Sequence, residues 1–292
     1  MMDIAFLGTG LMATPMIRRL LAAGHRVRVW NRTPARALPL IAEGAQWAET
    51  PAQAVDGIAV ALMCLTDATA VESVVFGDQG IASASQPPRV LVDHGSIDPR
   101  LTRSFAERLA QRASSVWVDA PVSGGVAGAA EGRLAIMCGG PVDAVDEARP
   151  LLAAYSAQVT RMGETGAGQA TKLCNQVIVA ASIVAVGEAV RLAQASGVDA
   201  ARLPQALAGG WADSRPLQVF APRMLAAEVE PIGAADTMLK DLDTVLAAAR
   251  EGGVPMPLAS VVTELFRQLQ AVGLGEADPS RIVTLFRRER GA

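Results

Sequence analysis

The sequence predicts a doubly wound α/β sheet domain followed by an all-α domain. Short apolar, β-branched runs alternate with helix-period segments up to residue 163, and a glycine turn separates the first run from the first helix. Strand-like runs disappear after residue 163. Continuous apolar strands separated by helices indicate a mainly parallel sheet that is covered on both faces. We therefore expect domains at residues 1–163 and 164–292.

The predicted strands follow one another at the spacing of a strand-helix-strand series. They are IAFLGT (4–9), RVRVWNR (26–32), IAVALMCL (58–65), RVLVDHG (89–95), VWVDAPV (116–122), LAIMCGG (134–140) and AQVTRMG (157–163). Ligands bind at the carboxyl ends of the strands in such a sheet. A long helix predicted over about residues 168–195 would connect the two domains and place its first turn beside the cleft between them.

Composition narrows the classes of function. The chain has 292 residues, 51% of them hydrophobic, and can bury a large core. A net charge of -3, a pI of about 5.5 and the lack of a basic run argue against nucleic acid or an anionic membrane as a partner. The longest apolar run, residues 177–186, is shorter than the roughly 18 residues of a membrane span. No targeting segment is visible, so we expect a cytoplasmic protein that acts on small molecules.

Cysteine and histidine offer no metal site in the sequence. The three cysteines are scattered through apolar stretches, which is typical of free thiols in a reducing compartment, and none has ligand spacing. His25 and His94, the two histidines, stand in neither a hydrolase-like nor a metal-like pattern. We interpret both as structural.

The first strand, turn and helix carry a dinucleotide fingerprint. In IAFLGTGLMATPM, Gly8 permits a tight turn and Gly10 lets the backbone approach a pyrophosphate. The helix N-terminus, at about Leu11 and Met12, favours the negative charge. Glycine pairs also occur in ordinary turns, but the strand before this one and the helix after it favour a Rossmann-type cofactor site.

The second strand ends without the acidic residue that binds the ribose of NAD. Asn31, Arg32 and Thr33 stand there instead. An arginine at this place can pair with a 2'-phosphate, so the sequence favours NADP (NADPH) over NAD. The alternative is that Arg32 is a solvated charge at a strand end.

The stretch DAPVSGGVAGAAEG (119–132) follows a strand and is too rich in glycine for a packed element. Backbone N–H groups around Ser123, Gly124 and Gly125, with the serine hydroxyl, can bind an anion such as a carboxylate. We interpret the stretch as a binding loop, with a plain irregular turn as the alternative.

A polar patch interrupts an otherwise apolar helix. Lys172, Asn175 and Gln176 are three and four residues apart and share one helix face. Such a patch predicts a ligand. Lys240 stands near a later helix start, beside acidic residues; most charges of this kind simply face water.

Taken together, GTGLMATPM, NRT, DAPVSGG, GAGQATKLCNQ and KDLD resemble the β-hydroxyacid dehydrogenase family, of the 3-hydroxyisobutyrate dehydrogenase and tartronate semialdehyde reductase type. The resemblance spans residues 8–243. It implies Lys172 as the catalytic lysine, Ser123, Gly124 and Gly125 as the substrate-binding motif, and Lys240 as a cofactor contact. A homodimer or homotetramer is also implied.

The sequence departs from the family pattern at two places. Where members usually have serine then threonine after an aspartate and one residue, this chain has Gly95 and Ser96. Ser96 then takes the cofactor-side position, and Leu65 completes the predicted cofactor contacts. Many members have two asparagines after the lysine, whereas this chain has Asn175 and Gln176, and either could orient the substrate.

The predicted function is an NADP-dependent oxidoreductase that transfers a hydride between the nicotinamide and a small β-hydroxyacid or semialdehyde, with a carboxylate as the substrate's anchor. Lys172 would exchange a proton with the carbonyl oxygen. One alternative is an imine reductase of the same architecture, which usually lacks the lysine. Another is a non-catalytic NADP-binding scaffold.

Overall fold

A computed structural model describes residues 1–286, which form two compact units divided after Lys172. The first unit contains the predicted sheet. Its strands are β1 (Asp3–Leu7), β2 (Arg26–Trp30), β3 (Gln46–Trp47), β4 (Val60–Met63), β5 (Val90–Asp93), β6 (Val116–Asp119), β7 (Val122–Ser123), β8 (Leu134–Gly139) and β9 (Ser156–Gly163). Its helices are α1 (Ala13–Ala22), α2 (Leu38–Ala42), α3 (Pro51–Val55), α4 (Ala68–Phe76), α5 (Pro99–Ala113), α6 (Gly125–Glu131) and α7 (Val142–Leu152).

The strand order of the sheet is β3-β2-β1-β4-β5-β6-β8-β7, with β9 paired to β8. The strands from β3 to β6 are parallel, and β8 is antiparallel to β6 and β7. The order reverses at β1, because β2 lies on one side of it and β4 on the other. That reversal is where doubly wound sheets bind their ligands.

Helices cover both faces of the sheet, as the apolar strand pattern predicts. Along β1, Ile4 and Phe6 belong to one buried cluster, whereas Ala5 and Leu7 belong to another. This alternation follows from the two-residue period of a strand. Strands β4 and β5 are buried at every position, which explains their continuous apolar runs.

Every regular element among the described residues of the second unit is a helix, and the predicted class of an α/β domain followed by an all-α domain is confirmed. Helix α8 (Ala167–Ala195) begins in the first unit and continues into the second. The other helices are α9 (Leu203–Leu207), α10 (Arg215–Leu225), α11 (Ala235–Glu251) and α12 (Pro257–Leu269), followed by helical turns at 270–274 and 279–286. The domain boundary after residue 163 stays a prediction.

Helix α8 is long and apolar enough, by length and composition, to cross a membrane, although no uninterrupted apolar run of that length is present. Of its most apolar window, 44% is buried inside the structure. Core helices of soluble proteins meet the same criteria, so one such helix is weak evidence for a membrane span.

Candidate active site

The turn after β1 requires glycine at its first position. Gly8 has φ +95°, and its N–H donates to the Trp30 carbonyl at 2.8 Å. A Cβ at this position would lie 2.4 Å from the Cys64 carbonyl oxygen and 3.2 Å from Leu65 Cδ2. Both the backbone angle and the close approach of β4 therefore exclude a side chain here.

Gly10 differs from Gly8, because apart from Gly10 and its two chain neighbours no heavy atom of the described residues lies within 4 Å of a Cβ built there. Its carbonyl accepts from Thr14 N at 2.9 Å, so helical hydrogen bonding begins at this residue. Leu11 is exposed and Met12 packs partly against the core. The start of α1 is therefore open on the side of Gly10, where helical N–H groups lack intrahelical partners.

The end of β2 is joined to the glycine turn by Asn31. Its Oδ1 accepts from Thr9 N at 3.0 Å, and its Nδ2 donates to the Thr33 carbonyl at 2.9 Å. Arg32 and Thr33 are exposed. Asn31 therefore shapes the turn, and Arg32 is presented at the surface beside it.

Two carboxyl groups are buried at the ends of the neighbouring strands β5 and β6, where Asp93 and Asp119 are paired in register. Burial raises the pKa of Asp93 to about 7, although the Gly95 N–H lowers it and the nearby Asp119 raises it further. Asp93 Oδ1 accepts from Gly95 N at 2.8 Å. A Cβ on residue 95 would lie 2.9 Å from that oxygen and 3.2 Å from the Leu65 carbonyl oxygen, so glycine fits this close approach.

Asp119 receives the first turn of α8. Its Oδ1 accepts from Gly166 N at 2.7 Å and its Oδ2 from Gln169 N at 2.8 Å. Burial raises the pKa of Asp119, while backbone N–H groups of Gly166, Gln169 and Gly168 lower it. A Cβ on Gly168 would lie 2.6 Å from the Asp119 carbonyl oxygen, so glycine permits this close approach of helix and strand.

Lys172 lies one turn further along α8 and reaches the predicted substrate motif. Its Nζ donates to the Val122 carbonyl at 2.9 Å, and Val122 directly precedes Ser123. Gly124 and Gly125 have φ +133° and +66°, so they turn the chain sharply after β7. The structure therefore brings the lysine and the serine-glycine-glycine motif together within the first unit.

The prediction of an unpacked loop over 119–132 is wrong. Residues Val122–Ser123 form β7 against β8, and Gly125–Glu131 form helix α6, whose inner residues Gly128 and Ala129 are buried. Small residues fit here because α6 packs closely: a Cβ on Gly128 would lie 3.3 Å from Leu134 Cδ2. Within this stretch, Ala120, Pro121, Gly124 and Gly132 lie outside strands and helices.

In the second unit, three predicted residues are linked through Asp241. Gln176 Nε2 donates to Asp241 Oδ2 at 2.6 Å, and Asn175 Nδ2 donates to Gln176 Oε1 at 2.9 Å. Lys240 Nζ lies 3.3 Å from Asp241 Oδ1. Gln176 Nε2 also lies 3.8 Å from the Met238 sulfur. The nitrogen and the oxygen of the Gln176 amide therefore both have partners inside the protein.

Asp119 and Asp241 were not among the predicted site residues. Each is acidic, nearly inaccessible to solvent and part of a motif quoted above. The signal for Asp119 was a carboxylate at the first position of DAPVSGG together with the glycine-rich start of the helix at GAGQ, because carboxylates stabilise helix N-termini. The signal for Asp241 was its place in the KDLD segment of an amphipathic helix.

His94 is buried and neutral, as a structural residue would be. Its Nδ1 lies 2.7 Å from the Ala120 carbonyl, which can only accept, so Nδ1 carries the hydrogen. Its Nε2 then accepts from the Tyr155 hydroxyl at 2.9 Å. Burial lowers the pKa of His94 to about 4.

Comparison with known proteins identifies the family. A model of the NAD binding domain of 6-phosphogluconate dehydrogenase matches residues 3–163, and a model described as NAD-binding of NADP-dependent 3-hydroxyisobutyrate dehydrogenase matches residues 166–286. The chain is 36% identical to 2-hydroxy-3-oxopropionate reductase of Escherichia coli (strain K12), over 97% of this chain and 96% of that protein. The chain belongs to the β-hydroxyacid dehydrogenase family. It is also 35% identical to 3-hydroxyisobutyrate dehydrogenase of Pseudomonas aeruginosa, over 91% of each chain.

The fold agrees with a solved member of the β-hydroxyacid dehydrogenase family. The structure of Mycobacterium tuberculosis 3-hydroxyisobutyrate dehydrogenase with L-serine superposes with a TM-score of 0.86, at 29% identity over 99% of this chain and 100% of that one. The predicted family, and with it an NAD(P)-dependent dehydrogenase, are confirmed.

The glycine turn fits the nicotinamide dinucleotide that β-hydroxyacid dehydrogenases use. Gly8 forms a tight turn, Gly10 leaves its outer side open, and α1 begins directly behind it. Within residues 1–286, the buried Thr9 Oγ1 of this turn has no hydrogen-bond partner. A polar group of a dinucleotide bound at the turn would give this hydroxyl a partner.

Substitution of the two glycines should give different phenotypes. Gly8→Ala should lower the melting temperature, because alanine is strained at φ +95° and its Cβ would meet the Cys64 carbonyl. Gly10→Ala should leave the melting temperature unchanged and weaken NAD(P)H binding by at least about tenfold, which is about 1.4 kcal/mol. Thermal unfolding and fluorescence titration measure both, and a Gly10→Ala protein with wild-type affinity would contradict the assignment of this turn.

Proposed function

We propose that this enzyme is an NADP-dependent oxidoreductase that transfers a hydride between the nicotinamide and a small β-hydroxyacid or semialdehyde. Examples are the reduction of tartronate semialdehyde to glycerate and the oxidation of 3-hydroxyisobutyrate to its semialdehyde. One observation carries the proposal. The Lys172 ammonium donates to the Val122 carbonyl, next to the Ser123, Gly124 and Gly125 turn. A proton donor and a group of anion-binding N–H donors are thereby close together, as reduction of a carbonyl beside a carboxylate requires.

The residues divide the chemistry among them. The nicotinamide, when bound, supplies or accepts the hydride. Lys172 gives a proton to the substrate's carbonyl oxygen during reduction and takes it back during oxidation. Ser123, Gly124 and Gly125 bind the substrate carboxylate.

The amide beside Lys172 that orients the substrate is assigned to Asn175. Gln176 is 7% exposed, and its amide is used by Asp241 on one side and Asn175 on the other. Turning it towards a substrate would leave the buried Asp241 carboxylate without this donor, which costs free energy. Asn175 is half-buried, and Gln176 positions it.

Lysine occurs in this chain only at residues 172 and 240, while every other basic side chain apart from the histidines is arginine. Arginine stays protonated in proteins, whereas lysine can lose its proton. A lysine is therefore the suitable cation where a proton must be exchanged. This supports Lys172 as the acid-base group, with Lys240 as a cofactor contact.

Cofactor contacts come from the first unit and from Lys240. Leu65 and Ser96 follow β4 and β5, at the carboxyl edge of the sheet. They complete the set formed by Gly8, Gly10, Leu11, Met12, Asn31, Arg32, Thr33 and Lys240. We assign the 2'-phosphate of NADP to Arg32 and Thr33, because Asn31, which occupies the place of the usual acid, is engaged by Thr9 and Thr33.

The remaining assignments follow the same proposal. Residues 1–163 bind the cofactor, and residues 164–292 serve the substrate and dimerisation. The enzyme works in the cytoplasm as a homodimer or homotetramer. Of the rival functions, an imine reductase is disfavoured by Lys172, and a non-catalytic scaffold by Lys172 and Ser123 together.

A substrate panel tests the proposed reaction. Purified protein with NADPH should reduce at least one of tartronate semialdehyde, succinic semialdehyde, methylmalonate semialdehyde and glyoxylate. The methyl ester of the best substrate should lose about tenfold to a hundredfold in kcat/KM, because charge-assisted hydrogen bonds contribute about 1.5 to 3 kcal/mol. Equal turnover of ester and acid would refute the carboxylate assignment, and turnover of a cyclic imine alone would favour the imine reductase.

Cofactor preference is tested by Arg32→Ala. NADPH should bind wild-type protein more tightly than NADH, and the substitution should weaken NADPH binding by about tenfold to a hundredfold while leaving NADH unchanged. Arg36→Ala is the matched control, since Arg36 is also exposed and lies four residues away. Equal wild-type affinities for the two cofactors, or equal effects of the two substitutions, would refute the role of Arg32.

A further inference from the structure

Gln169 stands at the first turn of α8, with 1% of its surface exposed, and its side-chain amide makes two main-chain hydrogen bonds. Its Nε2 donates to the Gly95 carbonyl at 2.8 Å, and its Oε1 accepts from Ile97 N at 3.3 Å. The amide therefore pairs with the chain on both sides of Ser96, much as a neighbouring strand would.

The main chain of Gln169 is fixed as well. Its N–H donates to Asp119 Oδ2 at 2.8 Å, and Asp119 Oδ1 holds Gly166 N at 2.7 Å. The backbone of α8 thus cannot slide along β6 without breaking buried hydrogen bonds. The side chain of Gln169 extends this rigid attachment to the segment after β5.

Lys172 lies three residues after Gln169, so the two side chains share one face of the helix. Lys172 is itself held by the Val122 carbonyl. The first turn of α8 therefore carries both Lys172 and the side chain that bonds the residues on either side of Ser96.

We propose that Gln169 is a positioning residue, which holds the Ser96 segment in register with Lys172 through its paired bonds to Gly95 and Ile97. The inference rests on the proposed function, in which Ser96 faces the cofactor and Lys172 the substrate. Hydride transfer needs its reacting atoms within a narrow distance, and misplacement by about 1 Å can cost on the order of a hundredfold in rate. Loosening this pairing should therefore lower kcat.

Gln169→Met tests whether the amide holds the Ser96 segment, because methionine has a similar length and lacks the amide. Amide hydrogen exchange over residues 94–99 should become faster, since Ile97 N loses its acceptor. Thr171→Val is the matched control on the same turn, because among residues 1–286 the Thr171 hydroxyl donates back to the Ala167 carbonyl of its own helix and not to the Ser96 segment. That control should leave exchange over residues 94–99 and kcat unchanged.

The same variant tests the catalytic part. In Gln169→Met, kcat should fall by on the order of tenfold to a hundredfold. The NADPH dissociation constant should change by less, because Ser96 is one of several proposed cofactor contacts and the glycine turn is untouched. If Gln169 only stabilised the fold, Gln169→Met would lower the melting temperature, but kcat would not fall more than NADPH binding does.

Gln169→Glu supplies a pH signature that packing alone would not give. A carboxylate at this site would be buried and would face the Gly95 carbonyl oxygen. Asp119 and Asp93 bond the nearby main-chain N–H groups of residues 169 and 95, so burial and this acidic neighbourhood should raise its pKa. The protonated acid can donate to Gly95 and accept from Ile97, which restores the pairing. The ratio of variant to wild-type kcat/KM should therefore rise as the pH falls through the raised pKa.

The outcomes separate this inference from the proposed function. Unchanged exchange over residues 94–99 in Gln169→Met, or faster exchange with wild-type kcat, would overturn the inference. A pH-independent ratio for Gln169→Glu would overturn it as well. If wild-type protein neither bound NADPH nor turned over any member of the panel, the proposed function would fail, and the exchange measurement would still decide whether Gln169 secures the segment.

Discussion

The Asp119 carboxylate at the start of α8 is the interaction on which the rest of the candidate site depends. It accepts main-chain N–H groups from Gly166 and Gln169, and the residues after it lead directly into the substrate motif. Burial raises the pKa of Asp119 against the effect of those donors, so its ionisation is not a net source of stability. The Asp119 carboxylate instead fixes the position of the helix start, and removing it would leave buried helix N–H groups without an acceptor.

Glycines make this arrangement sterically possible. A Cβ on Gly139 would lie 2.6 Å from Asp119 Oδ1, and one on Gly168 would lie 2.4 Å from the Met137 carbonyl. The helix start therefore rests directly against the backbone of β6 and β8. Lys172 lies one turn later, so this contact also fixes its position. Its hydrogen bond to the Val122 carbonyl joins the proposed acid-base group to the proposed substrate turn.

Local motifs were predictable from the sequence, whereas the contacts that connect them were not. The glycine turn at Gly8 and the polar turn at Lys172 each lie within a few residues, so spacing alone reveals them. Asp119 acts on amides 47 and 50 residues away, and Gln169 acts on backbone 72 and 74 residues away. The role of Gln176 was equally undecided, because Asp241, its partner, is 65 residues distant. Helix α6 was mistaken for a loop because small residues signal both a mobile turn and close packing.

The central claim is that Lys172 exchanges the proton, and the most direct measurement is the turnover rate of Lys172→Met beside Lys172→Arg. Methionine removes the proton donor, and arginine keeps the positive charge but does not give up its proton. Positioned acid-base groups contribute about 10² to 10⁴ in rate, so kcat should fall by that order in both variants while NADPH affinity and melting temperature change little. A folded Lys172→Met protein that binds NADPH and reduces its substrate at near the wild-type rate would contradict the account.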